Sequence, residues 1–290
     1  MKNKGVIQYQ RQPEDWTFGA IDSPIINESG DWSDYIPVFE HQAKHFQTMA
    51  CCSFSALNVL EILYKYKYGV EKNWSDRFTA KVSGTNSRGN TFKAVADAIR
   101  HYGLIDEELY PMVNTWNEYY KEVPQELLDK GKDFLINHEI SYWWVFPNKE
   151  NLKDALKRAP LQVGVKLGGF KIVGDKIIYT RTTGFSNHAV SLIKMTDDWY
   201  KIFDHDDRDI KYLAPNFDIQ YVYLYSIIKK NMKFLKEKNS SAVYLIKGNE
   251  AIPINDAQDY LNLEVDFSAV EEVDTIKQTK VNKKLYTFIR

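Results

Sequence analysis

The segment Gln47-Thr48-Met49-Ala50-Cys51-Cys52-Ser53-Phe54-Ser55-Ala56-Leu57-Asn58 puts a thiol on the first turn of a long apolar helix. Ala56, Val59, Leu60 and Leu63 recur at helical spacing, which predicts a helix from Cys51 to about Tyr66. Phe54, Leu57 and Ile62 add apolar surface on its other sides, so this helix is expected to be largely buried. A helix start presents unpaired N–H groups and partial positive charge. Both stabilise a thiolate and lower its pKa, which makes Cys51 a candidate nucleophile. A buried helical cysteine is commonly inert packing, so the case needs an imidazole and an orienting group elsewhere in the chain.

Both occur downstream. Asn187-His188-Ala189-Val190 lies on an apolar strand, and Ile202-Phe203-Asp204 follows on the next one. His188 comes 137 residues after Cys51 (188 − 51), and Asp204 comes 16 residues after His188 (204 − 188). Cysteine acyl transfer needs these parts in these roles: thiolate, proton carrier, orienter, and donors for the oxyanion. For the last role the Cys51 N–H would be joined by a side-chain amide, with Gln42 and Gln47 as the alternatives. The acidic run Asp204-His205-Asp206-Asp207 lacks the ordered ligand spacing of a cation loop. The adjacent Cys51 and Cys52 lack zinc-ligand spacing. No metal and no cofactor are expected.

At 290 residues and 44% hydrophobic, the chain can bury a large core and a smaller one. A net charge of −1, from 38 basic and 39 acidic residues, offers no field to attract nucleic acid. No window reaches the ~18 apolar residues of a membrane span, and the N-terminus lacks the apolar run of a signal peptide. Two neighbouring cysteines cannot make a disulfide framework, so an intracellular or otherwise reducing setting, such as the cytoplasm, is expected.

Residues 1–40 read as an irregular arm laid over the surface of a domain ending near residue 227. Ser83–Asn90 is a polar loop, and Phe92, Val95, Ala96 and Ile99 mark a second helix closed by Gly103. A short helix over 152–159 ends at Pro160, followed by strands at 161–167, 171–180, 188–195, 199–204 and 219–226, the last with Tyr221, Tyr223 and Tyr225 on one face. Helices first and antiparallel strands later predict an α+β fold. Lys229, Lys230, Lys233, Lys236 and Lys238 read as a basic linker over 228–240, as a solvated helix. Residues 241–290 then form a small C-terminal α/β module: a hairpin over 242–246 and 250–254, a helix near 255–262 and a strand near 284–289.

Together these segments resemble the papain-like cysteine peptidases. Ala50-Cys51-Cys52-Ser53-Phe54-Ser55-Ala56 is similar to that family's nucleophile segment, matching on Cys, Phe and Ser. Gly89-Asn90, the helix after it, and Gly103-Leu104-Ile105-Asp106-Glu107-Glu108-Leu109-Tyr110-Pro111 resemble its mid-region. Ala159-Pro160-Leu161-Gln162-Val163, His188-Ala189-Val190 and Ile202-Phe203-Asp204-His205 are similar to its later strands, in family order. The resemblance implies a two-lobed fold, a helical lobe facing a β-barrel-like lobe, and a thiol hydrolase acting on a polypeptide. It implies Cys51 as nucleophile, His188 as base and Asp204 at the position of an Asn. Gly89, Asn90 and Asn187 would contact substrate. Pro37-Val38-Phe39-Glu40-His41-Gln42 is similar to the run ending in the oxyanion Gln, which favours Gln42 over Gln47. Cys52 replaces a Trp, and the Trp-Gly that would shield the His–Asp204 bond is absent. The Asp loosens the reaction class, since papain-fold acyl-transfer enzymes such as transglutaminases use one. A catalytically silent assembly protein, as in a phage particle, is the alternative, with 241–290 as its docking module.

Overall fold

A computed structural model describes residues 3–19, 24–206, 210–230, 233–247, 249–254 and 270–281. In chain order the helices are α1 (Cys51–Tyr68), α2 (Asp76–Val82), α3 (Phe92–Tyr102), α4 (Trp116–Tyr119), α5 (Gln125–Asn137) and α6 (Lys149–Leu156). Side-chain oxygens start several of them. Ser75 accepts from the Phe78 N–H at 3.1 Å, Thr91 from Ala94 at 3.0 Å and Asn148 from Asn151 at 2.8 Å. Residues 51–64 of α1 are all buried, as the apolar surface around the helix requires. Gly103 closes α3 as expected, its N–H donating to the Ile99 carbonyl.

The strands are β1 (His138–Trp144), β2 (Leu161–Val165), β3 (Leu167–Val173), β4 (Lys176–Arg181), β5 (His188–Met195), β6 (Tyr200–Phe203), β7 (Ile210–Leu213) and β8 (Ile219–Lys229). They form one eight-stranded sheet in the order β1-β8-β2-β5-β6-β7-β4-β3, antiparallel except where β4 meets β7. A second sheet of five strands contains β9 (Lys233–Glu237), β10 (Val243–Lys247), β11 (Glu250–Ile254), β12 (Val270–Val273) and β13 (Thr279–Lys280), ordered β12-β9-β10-β11-β13. The expected hairpin is β10 paired with β11.

Two sequence expectations are corrected. The strand expected at 171–180 is a hairpin, β3 and β4, with Val173 opposite Lys176 across the reversal. The basic run is not a linker helix: its start closes β8 and its middle is β9, where Lys233 and Lys236 pair with Glu271 and Glu272 of β12. Charges that look self-repelling along the chain are balanced across the sheet. The helix near 255–262 and the strand near 284–289 lie outside the described residues.

One contact sets the geometry of the site. Gln162 of β2 is fully buried, and its Nε2 donates to the Cys52 carbonyl at 2.8 Å and to Ser55 Oγ at 2.9 Å. Tyr225 of β8 donates to Gln162 Oε1 at 2.8 Å, and Ser191 of β5 donates to the Ser55 carbonyl at 3.1 Å. The first turn of α1 is thereby fixed to the strand that His188 opens. Each such bond contributes ~1 kcal/mol net, and breaking one would leave a buried polar group unpaired at greater cost.

Candidate active site

Cys51 is the first residue of α1 and has no exposed surface. Burial opposes ionisation of its thiol, but the Cys52 thiol, the His188 ring and the Ala189 N–H outweigh it, bringing the pKa from 9.0 to about 6. Cys52 goes the other way: burial and the neighbouring Cys51 push its thiol well above the ordinary value. The Cys52 sulfur turns to the carbonyls of Asn90, at 3.2 Å, and Gly5, at 3.6 Å. The two thiols thus act on each other but differ in what else they face, and Cys51 is the more acidic of the pair.

His188 lies across from it, fully buried, with Nε2 2.8 Å from Asp204 Oδ1. Among the described residues its Nδ1 is not taken by any other hydrogen-bond partner, and the Cys51 thiol is among the groups that act on the ring. Burial disfavours the imidazolium, but the Asp204 charge and hydrogen bond, and then Cys51, raise the His188 pKa above its ordinary value. Asp204 follows the end of β6 and is fully buried. Burial would raise its pKa, yet the positive charges of His188 and Lys211 hold it well below the usual carboxylate range.

Two residues around Asp204 were not singled out from the sequence. Lys211 of β7 donates to Asp204 Oδ2 at 2.8 Å, to Tyr179 Oη at 3.0 Å and to the Asp206 carbonyl. Tyr179 of β4 donates to the same Oδ2 at 2.5 Å, and the His205 N–H donates to Oδ1 at 2.8 Å. Only strand alternation on β7, with Lys211 at an inward position, could have signalled this. His205 is buried beside His188, ring centroids 5.1 Å apart, and packs on Phe54 at 5.3 Å. Burial, His188 and Lys211 keep its pKa well below the ordinary value, so it stays neutral. A neutral ring thus helps shield the His188–Asp204 bond that lacks a Trp. His188, Asp204 and His205 present ligand atoms within 4.8 Å of one another. Asp204 is already shared between an imidazole and an ammonium, which would repel a further cation.

Gln42 is fully buried beside this group, its N–H donating to the His205 carbonyl at 2.9 Å. Gln47 is exposed, and its Oε1 accepts from Gln42 Nε2 at 2.9 Å. The two alternatives are therefore partners: Gln47 holds the Gln42 amide, which retains a second N–H. The Cys51 N–H, at a helix start, has no intrahelical acceptor.

The arm penetrates further than a surface covering. The Lys4 N–H donates to the Asn187 carbonyl at 2.8 Å, the Asn90 N–H to Gly5 at 2.7 Å and the Ile7 N–H to Asn90 at 2.8 Å. Lys4 also pairs with Asp206. A Cβ on Gly5, at φ +126°, would lie 2.0 Å from the Met49 carbonyl, and one on Gly89, at φ +105°, would lie 2.0 Å from the Gly5 carbonyl. Only glycines allow so close an approach. The backbones of Gly89, Asn90 and Asn187 thus line the seat of the arm. The side chains of Asn90 and Asn187 bond within the fold, to Ser83 and Thr85 and to Leu167.

No protein-family model and no curated protein matches the sequence. Solved structures do match. The cysteine protease and lectin-like domains of Cwp84, a surface layer associated protein of Clostridium difficile, give a TM-score of 0.60 at 14% identity, over 84% of this chain and 61% of that one. The clostridial Cwp84 protease after propeptide cleavage gives 0.56 at 14%, over 69% of this chain and 58% of that one. Xylellain, a cysteine protease from Xylella fastidiosa, gives 0.57 at 12%, over 79% and 97%. This chain therefore spans about three fifths of the Cwp84 chains. At such identities the fold is what is shared, and the protein has a divergent papain-like α+β fold.

Proposed function

We propose that this protein is a thiol hydrolase cleaving peptide or isopeptide bonds through an acyl-enzyme on Cys51. The observation that carries the reading is the buried His188 ring, bonded to Asp204 on one side and lowering the Cys51 pKa on the other. The Cys51 thiolate attacks the carbonyl carbon, and the C=O electron pair moves to oxygen. The Cys51 N–H and the second N–H of Gln42 Nε2 receive that oxyanion. The C–N bond then breaks, and the His188 imidazolium passes its proton to the departing amine. Water, deprotonated by His188, attacks the thioester; the C–S bond breaks and a carboxylic acid leaves. Asp204 orients the ring throughout. Gly89, Asn90 and Asn187 would hold the substrate backbone where the arm now sits.

Intact-mass analysis after incubation with a peptide library tests this. A trapped thioester adduct and cleaved products are expected with the native chain and not with Cys51→Ala. Turnover that survives Cys51→Ala would overturn the reading. Adding an amine acceptor separates hydrolysis from acyl transfer, because only transfer yields amide-linked product.

A second reading is supported by the complete burial of Cys51 and His188 beneath the arm. There the papain-like fold serves as a catalytically silent assembly protein, docking through residues 241–290. A stable complex by light scattering, unaffected by Cys51→Ala and without cleavage of any library peptide, is the outcome it requires.

A further inference from the structure

Asp204 carries a full negative charge where an uncharged amide could orient an imidazole equally well. An unbalanced buried carboxylate would grip the His188 proton and hinder its passage to a leaving amine. The structure places a cation on the far side of that carboxylate. Lys211 is 3% exposed at its side chain, Asp204 is fully buried, and their N–O separation is 2.8 Å. Removing both ions from water is costly, and only pairing and hydrogen bonding can repay it. Here Tyr179 and the Asp206 carbonyl complete the ammonium's shell, and His188, Tyr179 and the His205 N–H complete the carboxylate's.

We propose that Lys211 is a positioning residue whose buried ammonium partly offsets the charge of Asp204, so that the carboxylate orients His188 while gripping its proton less tightly than an unpaired one would. This rests on the thiol-hydrolase reading for its benefit, but the electrostatic coupling itself stands without turnover. Among the described residues, the charged or titratable groups facing the unit belong to five elements and the arm. Cys51 comes from α1, His188 from β5, Asp204 with His205 and Asp206 from the β6 end, Lys211 from β7, and Tyr179 from β4. Lys4 of the arm reaches Asp206 and adds positive charge there. Of these, Lys211 alone places an ammonium directly on Asp204.

The test is the titration of the His188 ring by NMR in a Cys51→Ala background, which needs no activity. In Lys211→Met the uncancelled carboxylate should raise the His188 pKa by about one unit or more. In Asp204→Asn the uncancelled ammonium should lower it by a similar amount. The double variant Asp204→Asn with Lys211→Met should titrate between Asp204→Asn and the parent, and Lys211→Arg should barely move it. If Lys211→Met does not fold, the comparison of Asp204→Asn with the double variant carries the same information. A His188 titration unmoved by Lys211→Met, or a double variant that titrates like Asp204→Asn alone, would overturn the proposal. In a protein that also turns over substrate, the double variant should recover activity lost in Asp204→Asn. Absence of turnover in every form would count against the hydrolase reading and leave the coupling intact.

Discussion

Cys51 and Cys52 share a peptide bond, yet their thiols are driven in opposite directions by what each faces. His188 and the Ala189 N–H face Cys51, whereas two backbone carbonyls face Cys52. Alkylation with iodoacetamide should therefore fall on Cys51, with a rate midpoint near its pKa of about 6. The sign follows from the thiolate being the reactive form: labelling persists down to that pH and fades below it. Cys52→Ala should keep the label and move the midpoint upward, because the neighbouring Cys52 thiol is the leading influence that lowers the Cys51 pKa. Peptide mapping of the labelled chain checks both. Glu107 illustrates the converse effect of burial. Desolvation and the nearby Glu40 charge raise its pKa from 4.5 to about 7. Between those values the folded chain keeps a proton that the unfolded chain releases, so stability falls as pH rises through that window. Glu107→Gln keeps an oxygen for the Met112 N–H, which Glu107 Oε1 now accepts at 2.7 Å. It should gain on the order of 2 kcal/mol at about pH 8 and little below the ordinary carboxylate range, read from urea midpoints.

At the scale of elements, the arm lies against the segment that leads into Cys51. Residues 4–7 pair with the backbones of Asn187 and Asn90, and Gly5 lies against Met49, two residues before Cys51. A chain lacking residues 1–9, or carrying Gly5→Ala, should label at Cys51 faster, tenfold for each ~1.4 kcal/mol with which the arm holds its seat. A labelling rate unchanged by both would mean that the sulfur is reached by another route. This arrangement is only partly legible in the sequence. The composition of 1–40 announces an irregular arm, but pairing between segments so far apart in the chain leaves no local pattern. The Cys51 helix and the His188 strand are legible because each carries its own signal, helical periodicity for α1 and a mostly apolar run for β5. The β3–β4 hairpin reads as one strand because its apolar residues, Ile172, Val173, Ile177 and Ile178, run on either side of a short reversal. Lys211 is invisible for a different reason: a buried lysine looks like surface until its carboxylate is placed.

At the scale of the molecule, the second sheet pairs strands only among its own members within the described residues. Its clusters, Phe234 with Val243, Leu245, Ile252 and Ile254, and Leu235 with Ala251 and Ile276, are mostly self-contained, with Ile136 of α5 packed against the first. The basic run that looks like a linker in the sequence is held there by ion pairs: Lys233–Glu271 at 2.9 Å, Lys236–Glu272 at 3.0 Å and Lys238–Asp274 at 2.7 Å. These pairs are solvent-exposed, so each contributes at most ~1 kcal/mol and less in salt. The apolar clusters must carry the sheet. The eight-stranded sheet closes through β1 and β8, whose register ends with His138 opposite Lys229, and the Lys230 N–H donates to the Asn137 carbonyl at 2.7 Å. A chain cut after Lys230 therefore keeps every strand of the first sheet, the α1 contacts of Gln162 and the whole environment of Cys51. It should remain folded, with a melting temperature within several degrees of the parent and the same labelling midpoint. Exposure of Ile136 is the apolar loss this cut imposes on α5, and burying one such side chain stabilises by ~1.5–3 kcal/mol at most. An unfolded or aggregated product would show instead that the two sheets form a single cooperative unit. A folded product with a displaced midpoint would show that the second sheet acts on the thiol–imidazole pair from a distance.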